Sequence, residues 1–224
     1  MTTFVAMSHV DVAHLREDYR RGSLEASDLA PEPVGQFAAW LERAVADDLP
    51  EPNAVVVATV DAAGHPDARV VLLKAFDERG LVFYTNYESA KGRQLAARPH
   101  AALVFNWLAH ERQVRVRGEV RRVSRAETAA YFRSRPRGSR LGAWASEQSR
   151  VLPDRTPLER RAAELEAAYA DADEVPVPEH WGGFRVAWGE AEFWQGRRSR
   201  LHDRFRYRRA AHGAGAWTVE RLAP

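Results

Sequence analysis

The chain has no cysteine, which excludes disulfides, thiolate metal sites, iron–sulfur clusters and a cysteine nucleophile. A strong charge of one sign is also missing. Its 33 lysines and arginines nearly balance 31 aspartates and glutamates, and a net charge of +2 argues against a dedicated nucleic-acid protein. The isoelectric point near 9.1 reflects arginine's high pKa more than a large positive field. No apolar run approaches the roughly 18 residues that span a bilayer, and Met1 to Val10 lacks the apolar core of a signal peptide. The expectation is a cytoplasmic protein with neither a membrane nor a nucleic acid as partner.

Chemical signatures are missing too. There is no G-x-S-x-G, no Walker A loop and no H-E-x-x-H, and no two of the eight histidines stand at i, i+4 spacing. No metal is therefore expected. A dinucleotide fingerprint is absent, as is the alternating βα pattern that it needs.

What the chain does contain is organised around Arg69-Val70-Val71-Leu72-Leu73-Lys74. Four branched apolar residues between turn signals predict a buried strand with a cation at each end. Alternation points Arg69 and Lys74 to opposite faces. Three readings are open: the two cations hold different anionic groups, one sits where strand pairing breaks down, or both simply reach solvent.

Around this stretch the pattern is β-rich. Strands are expected at Ala54–Val60, Leu81–Asn86, Ala101–Trp107, Gln113–Val123, Phe184–Trp188, Ala191–Gln195, Phe205–Arg208 and Trp217–Leu222, with a turn at His212–Gly215. Helices are expected at Val12–Tyr19, Pro33–Leu49, Ser89–Ala97, Ser124–Ser134 and Thr156–Ala170, the last two opened by capping boxes. Arg135 to Arg155 is expected as a long loop, suspect for function. About nine short strands with few helices predict a single domain: a closed or split antiparallel barrel over residues 51–224, after a helical segment over 1–50.

Three clusters could carry chemistry. Tyr84, Thr85, Ser89 and Lys91 place hydroxyls and a cation at a helix N-terminus, either a phosphate site or an ordinary cap with a solvated lysine. Tyr131, Arg135 and Ser139 flank the end of a helix stopped by Pro136, and form either a second phosphate cup or an exposed basic helix end. From Glu192 to Arg204, Trp194 stands near Arg200 and His202, which suits a flat conjugated ligand.

Taken together, R-V-V-L-L-K, Y-T-N, E-R-Q-V, Y-F-x-S-R-P-R, G-A-W-A-S-x-Q-S, W-G-G-F-R, E-F-W-Q-G and R-L-H-D-R-F resemble the pyridoxine/pyridoxamine 5′-phosphate oxidases, from about Leu15 to Pro224. The resemblance implies a mainly β fold with flanking helices, the FMN-binding split barrel, as a homodimer with FMN at the interface. It implies FMN contacts from Arg69, Val70, Val71, Leu72, Leu73, Lys74, Tyr84, Thr85, Lys91 and Gln113 of one subunit. Gln148, Ser149, Trp194 and Arg204 are implied from the other. The substrate phosphate is implied to lie on Lys74, Tyr131, Arg135 and Ser139, with Arg200, Leu201 and His202 at the pyridine ring. Arg16, Glu17, Asp18 and Tyr19 are implied as a mobile lid. The implied reaction oxidises pyridoxine or pyridoxamine 5′-phosphate with O2, giving pyridoxal 5′-phosphate and hydrogen peroxide. Arg200 and His202 are implied to align the substrate and help its C4′ group lose a proton. One position departs from the pattern: Ala90 stands where many relatives carry an FMN-binding arginine, with Arg93 a turn further on as a possible substitute.

Overall fold

The computed structural model describes residues 12, 15, 17–209 and 216–224. Arg16 and the expected His212–Gly215 turn lie outside them. Residues 17–20 are not helical, so the expected N-terminal helix does not form in its described part. The alternation of apolar and polar residues there is too short to nucleate a helix unaided.

Nine strands form the frame: β1 (Ala54–Val60), β2 (Pro66–Asp77), β3 (Gly80–Asn86), β4 (His100–Trp107), β5 (Arg112–Arg122), β6 (Trp181–Val186), β7 (Glu190–Gln195), β8 (Asp203–Arg209) and β9 (Trp217–Arg221). They follow the order β4-β1-β2-β3-β6-β5-β7-β8-β9, and β4 also pairs with β5, closing a six-stranded antiparallel barrel. The barrel splits along β5. Its first half pairs with β7 (Arg112 to Arg117), and its last residues, Val120 to Arg122, pair with β6. Gly118 sits at the switch, where a Cβ would come within 1.9 Å of the Ala187 carbonyl oxygen. Only glycine lets the β6–β7 connection cross so close to the strand.

Five helices flank the barrel: α1 (Pro33–Ala46), α2 (Ala90–Ala97), α3 (Arg125–Ser134), α4 (Arg137–Ala145) and α5 (Thr156–Ala168). Helix α1 buries Phe37 completely, and its ring meets Phe76, Phe105, Trp107 and Trp188. A second small core joins Phe132, Leu141, Leu165, Val175 and Trp181 under α3, α4 and α5.

Three local expectations change. The Arg135–Arg155 loop contains α4, because Leu141 and Ala145, one turn apart, bury a face against α5. The Ser124–Glu127 capping box forms, whereas Thr156 is already inside α5 and caps nothing. The central strand is not buried on both sides: Val71 and Leu73 turn inward, while Val70 is 64% exposed and Leu72 36%. That outward apolar face becomes one wall of the site.

Candidate active site

A cavity of about 610 Å3 opens beside β2 and β3, lined by Val70, Val71, Leu72 and Lys74 on one side and by Tyr84, Thr85 and Asn86 on another. Lys91, Tyr131, Arg135, Ser139, Ser146, Gln148 and Trp181 complete the wall, with Pro136, Gly142 and Ala143. The sequence places Lys74 here by a defect: strand register shifts between Leu73 and Ala75, so Lys74 sits at an irregularity in the β2–β3 ladder. Of the open readings for the two cations, this is the break in pairing. Arg69 faces the other way, as alternation requires. Its guanidinium donates to Thr59 Oγ1 at 2.6 Å and to the Val57 carbonyl at 3.2 Å, and pairs with Asp67. Leu73 enters the core, and its N–H and carbonyl are both engaged by Asn53. Neither residue lines the cavity.

The cavity wall carries two cationic groups. At one, Ser89 caps α2 by accepting from the Gly92 N–H, which brings Lys91 to the cavity wall. Lys91 is 8% exposed, and among the described residues its Nζ donates only to neutral groups, Gln148 Oε1 at 3.0 Å and Thr85 Oγ1 at 3.3 Å. Burial, and then the charge of Arg69, hold its pKa below the ordinary lysine value. A buried ammonium without a carboxylate is an incomplete arrangement that an anion would complete. The other expected cationic residue of this helix, Arg93, turns to the Glu88 carbonyl rather than to the cavity.

In the second group, Lys74, Tyr131, Arg135 and Ser139 line the same cavity. Arg135 is the C-cap of α3, its guanidinium lies 4.6 Å above the Trp181 ring, and its Nη1 is buried without a hydrogen-bond partner. Cation–π contact holds the fork in place with about 0.5–2 kcal/mol while leaving a donor unused. Tyr131 stacks on Tyr84 at 4.1 Å, and burial raises the pKa of both hydroxyls, keeping them protonated donors. Gly183 makes the stack possible: a Cβ there would lie 2.9 Å from Tyr84.

A separate row runs across the outer sheet. Gln113 pairs with Trp194, and Trp194 with Arg204. Glu192 holds Arg204 at 2.9 Å and also meets Arg115. Burial pushes this carboxyl up, but the two guanidiniums hold it below the usual range. Trp194 is 4.6 Å from His202, and Tyr19 stands edge-on to both, at 5.6 and 5.7 Å. His202 Nδ1 accepts from the Arg197 N–H at 3.1 Å; burial, and then Arg200, lower its pKa. The neutral ring therefore carries its proton on Nε2. Asp203 anchors this turn, accepting from Arg197 at 3.0 Å, Arg221 at 2.9 Å and the Leu24 N–H at 3.0 Å. Arg200 and Leu201 are exposed, as are Glu17 and Asp18, the latter held by Arg20.

Within this chain the expected FMN contacts fall into two groups. Gln148 belongs with Lys91 and Thr85 of its own chain, because α4 carries the following segment back to α2. Gln113 belongs with Trp194 and Arg204, because β5 pairs with β7. Ser149 lines a neighbouring cavity, at φ 74°. No residue of the Gln113–Trp194–Arg204 row, nor Arg200 or His202, lines the Lys74–Lys91 cavity.

Trp181, Asn86 and Ser146 line the cavity but were not singled out as ligands by the sequence. They stood inside W-G-G-F-R, Y-T-N and G-A-W-A-S, where only the neighbouring polar residues drew attention.

The closed six-stranded antiparallel barrel with its added strands defines the class of FMN-binding split-barrel proteins. Residues 41–169 match the family model described as pyridoxamine 5′-phosphate oxidase, and residues 181–224 match that of the pyridoxine 5′-phosphate oxidase C-terminal dimerisation region. The pyridoxine/pyridoxamine 5′-phosphate oxidase 1 of Ralstonia nicotianae is 55% identical over 95% of this chain and 99% of its own. That of Ralstonia pickettii is 54% identical over the same shares. Among solved structures, PhzG from Burkholderia lata, in complex with tetrahydrophenazine-1-carboxylic acid, superposes with TM-score 0.82 at 30% identity, covering 91% of this chain and 100% of PhzG. An FMN-binding protein from Nostoc punctiforme shares the fold, with TM-score 0.69 at 20% identity over 88% of this chain and 98% of its own. The chain belongs to the pyridoxamine 5′-phosphate oxidase family, a family of oxidoreductases. Among the described residues, no helix is long and apolar enough to cross a membrane.

Proposed function

We propose that the protein oxidises pyridoxine 5′-phosphate or pyridoxamine 5′-phosphate to pyridoxal 5′-phosphate, using FMN and molecular oxygen. The observation that carries this reading is that two cationic groups, Lys91 and Lys74 with Arg135, line one cavity, since a phosphorylated cofactor and a phosphorylated substrate need two anion cups. Lys91 with Thr85 and Gln148 suits the cofactor phosphate, and the exposed face of Val70 and Leu72 suits a flat ring. Lys74, Tyr131, Arg135 and Ser139 suit the substrate phosphate, with the unpartnered Arg135 Nη1 ready to donate.

The remaining groups are supplied from across a homodimer. Gln113, Trp194 and Arg204, with Arg200 and His202, stand outside their own chain's cavity, and the C-terminal match is to a dimerisation region. The second copy closes the cavity from the other side.

FMN held there would supply the redox chemistry, a two-electron oxidation at the substrate's C4′ with O2 as terminal acceptor and hydrogen peroxide as by-product. The amine substrate also yields ammonia. This chain's residues orient and polarise. His202 offers an Nε2–H donor because its Nδ1 is occupied, so it positions the C4′ substituent rather than taking its proton. Arg200 adds a positive charge that favours the deprotonated amine or alkoxide. Arg200→Ala should slow anaerobic flavin reduction; an unchanged rate would refute this role.

A second reading is oxidation of a phenazine-type carboxylic acid, suggested by the PhzG likeness. The four-residue phosphate cup favours the phosphate ester. A third, carriage of flavin or pyridoxal phosphate without turnover, predicts no steady peroxide release. Mixing the protein with pyridoxine 5′-phosphate without oxygen tests all three: the yellow flavin band should bleach and return in air. Yellow without bleaching would point to another substrate, and a protein unable to take up FMN would sink the assignment.

A further inference from the structure

A second cavity, about 570 Å3, lies against the Arg200–His202 turn, and its walls include Tyr19, Arg20, Arg21, Arg197, Arg198 and Leu201. Among the described residues, four guanidinium-bearing ones line it and no carboxylate does. Asp18 offsets Arg20 at 2.8 Å and Asp203 offsets Arg197 at 3.0 Å from outside the lining. Arg21 and Arg198 form no side-chain ion pair with another described residue. The nearest acid to Arg21 in its hydrogen bonding is Glu111, which accepts the Arg21 backbone N–H at 2.8 Å.

Both walls are fixed to the barrel. Glu111 and Asp203 hold the Arg21–Leu24 segment through its backbone N–H groups. The opposite wall is a turn in which Ser199 (φ 55°) and Arg200 (φ 62°) both occupy the left-handed region. Two consecutive non-glycine residues there are costly and persist only where surrounding contacts enforce them. Here the Arg197 N–H to His202 bond and the Arg197–Asp203 pair do so. One turn thus carries Arg197 and Arg198 on the cavity wall and Arg200 and His202 immediately after them.

We propose that this cavity is a separate anion site that first captures the incoming substrate by its phosphate monoester group and so concentrates it beside the adjoining Arg200–His202 turn. The proposal rests on the phosphate-ester reading above. A phosphate monoester is close to dianionic at neutral pH, and the guanidinium fork matches its oxygens. A concave surface lined by one sign of charge raises local anion concentration and association rate. The site is distinct from the cup of Lys74, Tyr131, Arg135 and Ser139, with which it shares no lining residue.

The test is the variant R21Q/R198Q in the FMN-loaded enzyme, with Arg20, Arg197 and Arg200 intact. At low ionic strength, kcat/KM for pyridoxine 5′-phosphate should fall about tenfold with kcat unchanged. The wild-type decline of kcat/KM with added salt should flatten in the variant, and R21K/R198K should restore most of the loss. A variant with wild-type kcat/KM and salt dependence, or one whose kcat falls equally, overturns the proposal. Phosphorus NMR with inorganic phosphate as probe gives a readout independent of turnover: the wild type should bind more tightly than R21Q/R198Q, and equal binding overturns the site. Wild-type protein that binds phosphate here but does not oxidise the ester sustains the anion site and overturns the substrate reading, so the two failures are distinguishable.

Discussion

Lys91 and His202 mark the two electrostatic demands of the site. Lys91 is a buried ammonium whose pKa lies below 10.5, chiefly through burial. FMN phosphate binding favours its charged form, so above the lowered pKa binding must take up a proton and weakens by up to about 1.4 kcal/mol per pH unit. FMN affinity should therefore begin to fall at a pH below the ordinary lysine range, and Lys91→Arg should remove that early decline; a flat profile for the wild type would contradict it. His202 has a pKa below 6.5, so its neutral form prevails at neutral pH and is lost only as pH drops further. Protonation would break the bond that Nδ1 accepts from Arg197. The acid limb of kcat/KM should lie below the ordinary imidazole value and disappear in His202→Asn, measured by steady-state peroxide release. Ala90 is the complementary case: with Arg93 turned to the Glu88 carbonyl, no guanidinium of α2 reaches the cavity. Ala90→Arg should tighten FMN binding by about one to two decades, the worth of one charge-assisted hydrogen bond. An unchanged dissociation constant would show that the position is indifferent.

Among the elements, β2 combines two jobs in one strand. Its inward residues build the core and its outward face lines the cavity, while Lys74, at the register shift after Leu73, is on the cavity wall. The run of four branched residues suggested burial on both faces because periodicity cannot distinguish a buried strand from one facing an apolar ligand wall. Helix α4 was hidden in an expected loop for a related reason: its arginines, glycines and serine dilute the apolar spacing, and Leu141 and Ala145 are identified as a face only by α5 opposite them. Helix α1 serves the barrel rather than the site. Phe37→Ala should cost about 3–5 kcal/mol of stability, seen as a lower denaturant midpoint, with kcat per folded enzyme unchanged because neither Phe37 nor its ring partners Phe76, Phe105, Trp107 and Trp188 line the cavity.

For the whole molecule, the decisive feature is that two half-sites stand apart on one chain. Mixing a Lys74→Ala protein with a Trp194→Ala protein, after dissociation and reassociation, should restore oxidase activity that neither possesses. Hybrid dimers would then carry one cavity and one aromatic row that are both intact. Failure of the mixture to recover activity, with hybrids confirmed by mass, would place both halves in one chain's own site.

The sequence alone determined the strands, most helix boundaries, the Ser124 capping box and the residues able to bind anions, because these depend on local spacing, turn chemistry and charge. Eight motifs in order were enough for the family. The grouping of those residues was decided only in three dimensions. Gln148 joins Lys91, and Gln113 joins Trp194, because β5 changes partners at Gly118 and α4 folds the chain back. Such pairings join residues dozens of positions apart, and no local pattern encodes which strand edge will meet which.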